Sequence, residues 1–186
     1  ARVAREIDRL RSSIDSQTGS VAAQFDRVCG VLERLGFLTG DEVTDAGQRL
    51  RRIFGERDLV VAMSMNEGTW NELDEAELAS LVSALVYDSR SDDDAQQLAP
   101  SGVGIRLQEA WHESLAILER VHRVEKACGC ELTPSLDAGL MAATLAWAHG
   151  STLATAIDAT PIQAGDFVRW MRQVMDCLGQ IASAAS

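Results

Sequence analysis

Apolar residues return at three- and four-residue intervals along nearly the whole chain, and only three prolines, Pro100, Pro134 and Pro161, interrupt them. That spacing puts one apolar face on each of a series of helices, and it predicts an all-α, multi-helix bundle. Residues 2–14 place Val3, Ile7, Leu10 and Ile14 on one stripe. Beyond Ser20, a candidate cap, Val21, Phe25, Val28, Leu32 and Leu35 repeat it up to Gly36. The segment FLTGDEVTDAG, with Thr39-Gly40-Asp41 at its centre, allows a small hairpin or wing at most. Thr44 or Asp45 should cap a helix running through Leu50, Ile53 and Phe54. Another is expected around Leu59, Val60 and Met63, stopping near Gly68.

Asp74 opens a stronger helix with Leu78, Leu81, Val82, Leu85 and Val86 on one side, and the acidic run 91–102 follows as a solvated connector. The longest helix is expected from about Gly104 to Ala127, with Trp111, Leu115, Leu118, Val121 and Val124 or Glu125 facing inward. It would span roughly 35 Å. Helices are further expected over Leu136–Ala148, ending at His149-Gly150, then over 152–158, and then from about 164 to 183. Two parts are expected: lead-in helices with a wing-like turn over 1–60, and a helical bundle over 61–186, packed as one unit.

The chain has 186 residues, with 17 Lys+Arg against 28 Asp+Glu, a net charge of −11. Such a balance opposes strong, phosphate-driven binding by the chain on its own. The charge is unevenly spread. Residues 1–60 carry 10 basic and 10 acidic side chains, residues 61–100 carry 1 and 9, and residues 101–186 carry 6 and 9. The only lysine, Lys126, precedes Ala127, so the chain has no G-K-[ST] phosphate loop. ATP hydrolysis by that route is not expected of it. No apolar run reaches the roughly 18 residues of a membrane span, so no membrane partner is expected and the cytoplasm is the default location. The chain does not begin with Met, which suggests processing or a cut from something longer.

Candidate chemistry is sparse. Cys128-Gly-Cys130 lies near His122, but zinc sites generally use C-x2-C spacing with a second ligand pair. The preferred reading is therefore small apolar fillers at helix ends, with no metal. Asp74-Glu75-Ala76-Glu77 resembles a DEAD-type motif in letters only, since a turn precedes it; first-turn carboxylates beside a helix dipole explain it better. Asp41/Glu42 and Asp92–Asp94 sit in polar connectors, and His112, His122 and His149 lie far apart in sequence. No catalytic residue is assigned.

The last helix is more informative. Phe167, Trp170 or Met171, Val174, Leu178 and Ile181 form its apolar stripe, and Asp166, Arg169, Gln173, Asp176 and Gln180 form a polar row opposite, with Arg172 alongside. Such a row is either a solvated outer face or a helix laid along single-stranded nucleic acid. In the second case arginine stacks on bases while Gln and Asp reach base edges.

Three stretches carry a family resemblance. ELDEAELASLVSALVYDSR resembles the opening of the DSHCT domain, the helical C-terminal domain of Ski-like DExH RNA helicases. LAWAHGSTLATAIDATPIQAGDFVRWMRQVMDCLGQIASAA resembles that domain's closing half. LERLGFLTGDEVTDAGQRLRRIFGERDLVV is similar to its lead-in, L-x-x-L-G-[YF]-[LI] followed by [VL]-T-x-x-G. The likeness covers roughly residues 20–184, and the arginine-rich, lysine-poor style resembles the actinobacterial, HelY-type branch. Ala164 stands where the family usually has Glu, while Gly165 to Arg169 keep the register.

The resemblance implies an accessory domain that packs on two RecA-like motor domains and guides single-stranded RNA along its last helix. The channel-facing set would be Arg169, Gln173 and Asp176, with Arg172 beside them and Asp88, Ser89 and Arg90 as a second channel-near segment. ATP and Mg would belong to the motor domains of a parent chain, not to this one, and an RNA-degradation partner is a further implied contact. RNA binding by this fragment alone should be weak. Two other readings remain open on the residues: an acidic helical protein-interaction module, and a winged-helix DNA-binding regulator using Arg49, Arg51 and Arg52.

Overall fold

The computed structural model describes residues 20–89, 103–158 and 160–186. Helix α1 covers residues 20–34 and ends at Gly36, whose φ of 80° lies in the left-handed region that glycine occupies without strain. Strands β1 (Leu38–Thr39) and β2 (Glu42–Val43) pair antiparallel, with Leu38 opposite Val43. This is the expected hairpin, and nothing larger. Thr44 caps α2 (Asp45–Leu50): its hydroxyl accepts from the Gly47 N–H at 3.2 Å and donates to the Gly36 carbonyl at 2.7 Å. One side chain thus ties the helix start to the end of α1.

Helix α3 (Asp58–Glu67) stops at Gly68, again left-handed. Helix α4 (Glu75–Val86) begins with a full capping box, in which Asp74 accepts from the Glu77 N–H and the Glu77 carboxylate accepts from the Asp74 N–H. The supposed DEAD-like acids are therefore helix-start residues. Helix α4 lies at the centre, packed against α5, α6 and α8. Its small residues permit that crowding, and its buried serines are satisfied: Ser80 donates to the Met141 carbonyl and Ser83 to the Ser80 carbonyl.

Helix α5 (Ile105–Cys128) presents Leu107, Ala110, Trp111, Ser114, Ile117, Leu118, Val121 and Glu125 to the core and ends at left-handed Gly129. Trp70 closes over it, with its indole N–H donating to Ser114 Oγ at 3.1 Å. A 3₁₀ turn (Ala138–Leu140), α6 (Met141–Ala148) and α7 (Leu153–Ile157) lead to α8 (Ala164–Ala185). Phe167, Met171, Val174, Ile181 and Ala184 of α8 face the core, against the α4 side of the bundle. Among the described residues no helix is long and apolar enough to cross a membrane.

Three expectations are corrected. Val21, Phe25 and Val28 do not face the core; they are 67%, 67% and 43% exposed. Helix α1 meets the bundle only near its C-terminal half, where Val31 is buried and Arg34 donates to Cys128 Sγ. The helix expected to run through Phe54 stops at Leu50, which leaves Ile53 buried and Phe54 exposed. The helix expected from Leu136 begins at the 3₁₀ turn instead, because Asp137 is extended and caps that turn by accepting from the Gly139 N–H. The stripe at 2–14, the connector 91–102 and Arg90 lie outside the described residues.

Candidate nucleic-acid interface

The polar row of α8 borders two adjoining grooves. One, of about 480 Å³, lies between the end of α4 and the start of α8 and is lined by Tyr87, Asp88, Ser89, Asp166, Arg169 and Trp170, among others. The next, of about 420 Å³, takes in Gln173, Asp176 and Gln180 from α8, Phe54 to Asp58 from the segment before α3, and Asp88 again. The amphipathic register of α8 produces this arrangement. Burying Phe167, Met171 and Val174 turns positions 166, 169, 173 and 176 toward solvent. Of the sequence-named residues, Arg169, Gln173, Asp176, Asp88 and Ser89 come together here. Arg172 is exposed but lines neither groove.

Arg169 is already oriented. Its guanidinium pairs with Asp166 one turn earlier at 3.3 Å and lies 4.8 Å from the centroid of the Trp170 ring. Trp170 in turn meets Tyr87 edge-on, with ring centroids 5.2 Å apart. Burial raises the Tyr87 phenol above its ordinary pKa, helped by Asp137, Asp88 and Asp166, so it stays neutral and able to donate. Among the described residues, Gln173 and Asp176 make no hydrogen bond within the chain, so their polar atoms are available to a ligand.

Two groups that sequence reasoning did not single out hold the site in place. Arg57, 6% exposed, donates to the Ser135 carbonyl through Nε at 2.9 Å and Nη2 at 2.6 Å. Its Nη1 donates to the Leu85 carbonyl at 3.1 Å, in the last turn of α4. Burial lowers its pKa, an effect opposed by Asp88, Glu56 and Asp137. Asp137, also buried, accepts from the Ser89 N–H at 2.9 Å and so fixes the chain just past α4. In the sequence Arg57 sits in a Gly-Glu-Arg-Asp turn that reads as surface. Only its distant backbone acceptors reveal its role.

The remaining candidates have structural partners. His122 Nε2 lies 2.7 Å from the Thr133 carbonyl and His112 Nδ1 lies 2.7 Å from the Gln108 carbonyl, while His149 ends α6. All four cysteines are free and half-buried. Burial pushes the Cys177 thiol up to about 11, and Cys177 sits mid-helix in α8 instead of at a helix end. Arg49, Arg51 and Arg52 reach Asn66, Gln48 and the Ser183 carbonyl.

The fold and site define an α-helical bundle with a small hairpin and a polar, aromatic-edged groove along its last helix. The DSHCT (NUC185) domain model matches residues 40–186, and the chain belongs to that family. It is 37% identical over 200 residues to "Probable helicase HelY" of Mycobacterium tuberculosis (strain ATCC 25618 / H37Rv), covering 99% of this chain and 22% of that protein. Similarity to "Probable helicase HelY" of Mycobacterium leprae (strain TN) is 35% over 201 residues, covering 99% and 21%. "ATP-dependent RNA helicase mtr4" of Schizosaccharomyces pombe is 29% identical over 165 residues, covering 83% and 14%. The chain thus spans about a fifth or less of the length of these relatives.

Proposed function

We propose that this chain is the C-terminal accessory domain of an ATP-dependent, Ski-like DExH RNA helicase, and that α8 acts as a ratchet-like element along which single-stranded RNA passes. The observation that carries the reading is the convergence of Arg169, Gln173 and Asp176 with Asp88 and Ser89 along two adjoining grooves. Arginine held against an aromatic ring, followed by amide and carboxylate groups at helical spacing, suits unstacked bases better than a phosphate backbone. ATP and Mg would act in RecA-like motor domains elsewhere in the parent chain, and a degradation partner would receive the strand.

Residues 61–186 would form the family bundle and residues 1–60 its lead-in. The bonds from Arg52 to the Ser183 carbonyl and from the Phe54 N–H to Gln180 support one packed unit. The commitment of Arg49, Arg51 and Arg52 to partners within the chain favours this reading over a winged-helix DNA regulator.

The test is to replace Arg169, Gln173 and Asp176 by Ala in the parent helicase. Unwinding should fall well beyond any loss of basal ATPase. Equal loss of both activities, or loss of neither, removes the role from α8.

A further inference from the structure

We propose that the groove lined by Phe54 and Trp170 seats a nucleobase and prefers bases with an exocyclic amino group over uracil. The proposal rests on the RNA reading above and adds a base class to it.

Phe54 is 75% exposed, yet it does not hang loosely in solvent. Its backbone N–H donates to Gln180 Oε1 at 2.7 Å, and the neighbouring Arg52 Nη1 donates to the Ser183 carbonyl at 2.6 Å. The backbone at Phe54 is therefore held beside α8, while its ring lines the groove and is not used in the core. Gly55 follows, and a side chain there would meet nothing within 4 Å, so the groove stays open at that point. Trp170, braced by Tyr87, lines the same groove, together with Val61 and Leu85. Aromatic faces beside an open groove accept any base by stacking.

The polar lining decides which base fits. Among the described residues, Glu56, Asp58, Asp88 and Asp176 border the groove against one cation, Arg57, whose guanidinium is already committed to the Ser135 and Leu85 carbonyls. Phosphate is disfavoured in such surroundings, and hydrogen-bond donors are favoured. Gln173 and Asp176, one helical turn apart, offer an amide and an acceptor-only carboxylate. Carboxylate pairs with the cytosine amino group, and an amide can pair bidentately with adenine. Guanine also carries an amino group, whereas the one edge donor of uracil lies between two carbonyl oxygens.

The experiment titrates the isotope-labelled 186-residue chain with hexamers of adenylate, cytidylate and uridylate, into the millimolar range. The Trp170 indole and Gln173 side-chain amide signals are followed by NMR. Adenylate and cytidylate hexamers should bind about five-fold or more tightly than the uridylate hexamer, the lower end of the discrimination a good base-edge contact provides. Phe54→Ala should weaken all three about five-fold or more. Gly55→Leu, which fills open space and leaves the fold intact by circular dichroism, should do the same. Asp176→Asn should bring uridylate close to parity.

Equal affinity for the three hexamers overturns the base preference and leaves the RNA reading standing. Response to none of them, or response only to a tetra-arginine peptide, overturns the seat, while the RNA reading is decided by the unwinding test in the parent helicase. Wild-type affinity in Phe54→Ala and in Gly55→Leu overturns the location of the seat.

Discussion

Replacing Arg57 by methionine keeps most of the buried stem and removes three hydrogen bonds to two backbone carbonyls, those of Ser135 and Leu85. Each carbonyl left without a partner costs about 1–3 kcal/mol. Part of that loss is offset, because a guanidinium whose pKa is lowered by burial is itself costly to bury. The net destabilisation should be about 2–4 kcal/mol. With a urea slope of about 2 kcal/mol/M for a small protein, the unfolding midpoint followed by circular dichroism should fall by about 1–2 M. The damage should be directional. The Leu85 carbonyl ends α4 and Asp137 holds Ser89, so the NMR signals of Ser89 and Trp170 should move more than those of α5. Arg57→Lys should recover only part of the loss, since an ammonium cannot span both carbonyls as the guanidinium fork does. A midpoint change below about 0.3 M, with Ser89 and Trp170 unmoved, would mean that Arg57 does not hold the end of α4.

Two further outcomes follow from the same neighbourhood. Burial raises the Asp58 carboxyl pKa above 3.8 against the pull of the Leu59 N–H, and Glu125 adds to the rise. The native state thus keeps a proton that the unfolded chain has released, so this group's stability contribution falls as pH rises from 3.8 through the folded pKa. Asp58→Asn should therefore flatten the decline of the urea midpoint with rising pH; an unchanged slope counts against the burial argument. Gly139→Ala places a methyl 2.9 Å from Tyr87 Cε1 and 3.0 Å from Asp137 Oδ1. It should cost about 1–3 kcal/mol as overpacking and shift Trp170 fluorescence through the Tyr87 ring, both readable in one unfolding titration.

Features set by neighbours a few residues away were readable from the sequence alone. Thr44 or Asp45 and Asp74 are legible as helix starts, Gly68 as a helix end and the α8 stripe as one face, because caps and amphipathic periods are local; the structure selects Thr44. Long-range packing decided the rest. The stripe on α1 continues through Val21, Phe25 and Val28, yet Val21 and Phe25 stay 67% exposed and Val28 only borders a groove shared with Leu50 and Leu59. Phe54 has the residue type of a core position and lies outside the core because α2 ends at Leu50. Arg57 reads as a surface turn, yet its acceptors are 28 and 78 residues away. The candidate site divides the same way. The α8 row was legible as a helical period, whereas its meeting with Asp88, Phe54 and Arg57 depends on how α4, α8 and the segment before α3 are packed.

If the polar row of α8 touches the translocating strand as proposed, site-specific photocrosslinking will register the contact. A photoreactive side chain is placed at Gln173, or at Met175, which is 62% exposed and projects from a different side of the helix. Each is introduced into the parent helicase and irradiated with single-stranded RNA and a non-hydrolysable ATP analogue. RNA adducts are expected at position 173, with little or none at 175. Adducts confined to 175, or equal at both, would contradict the proposed contact.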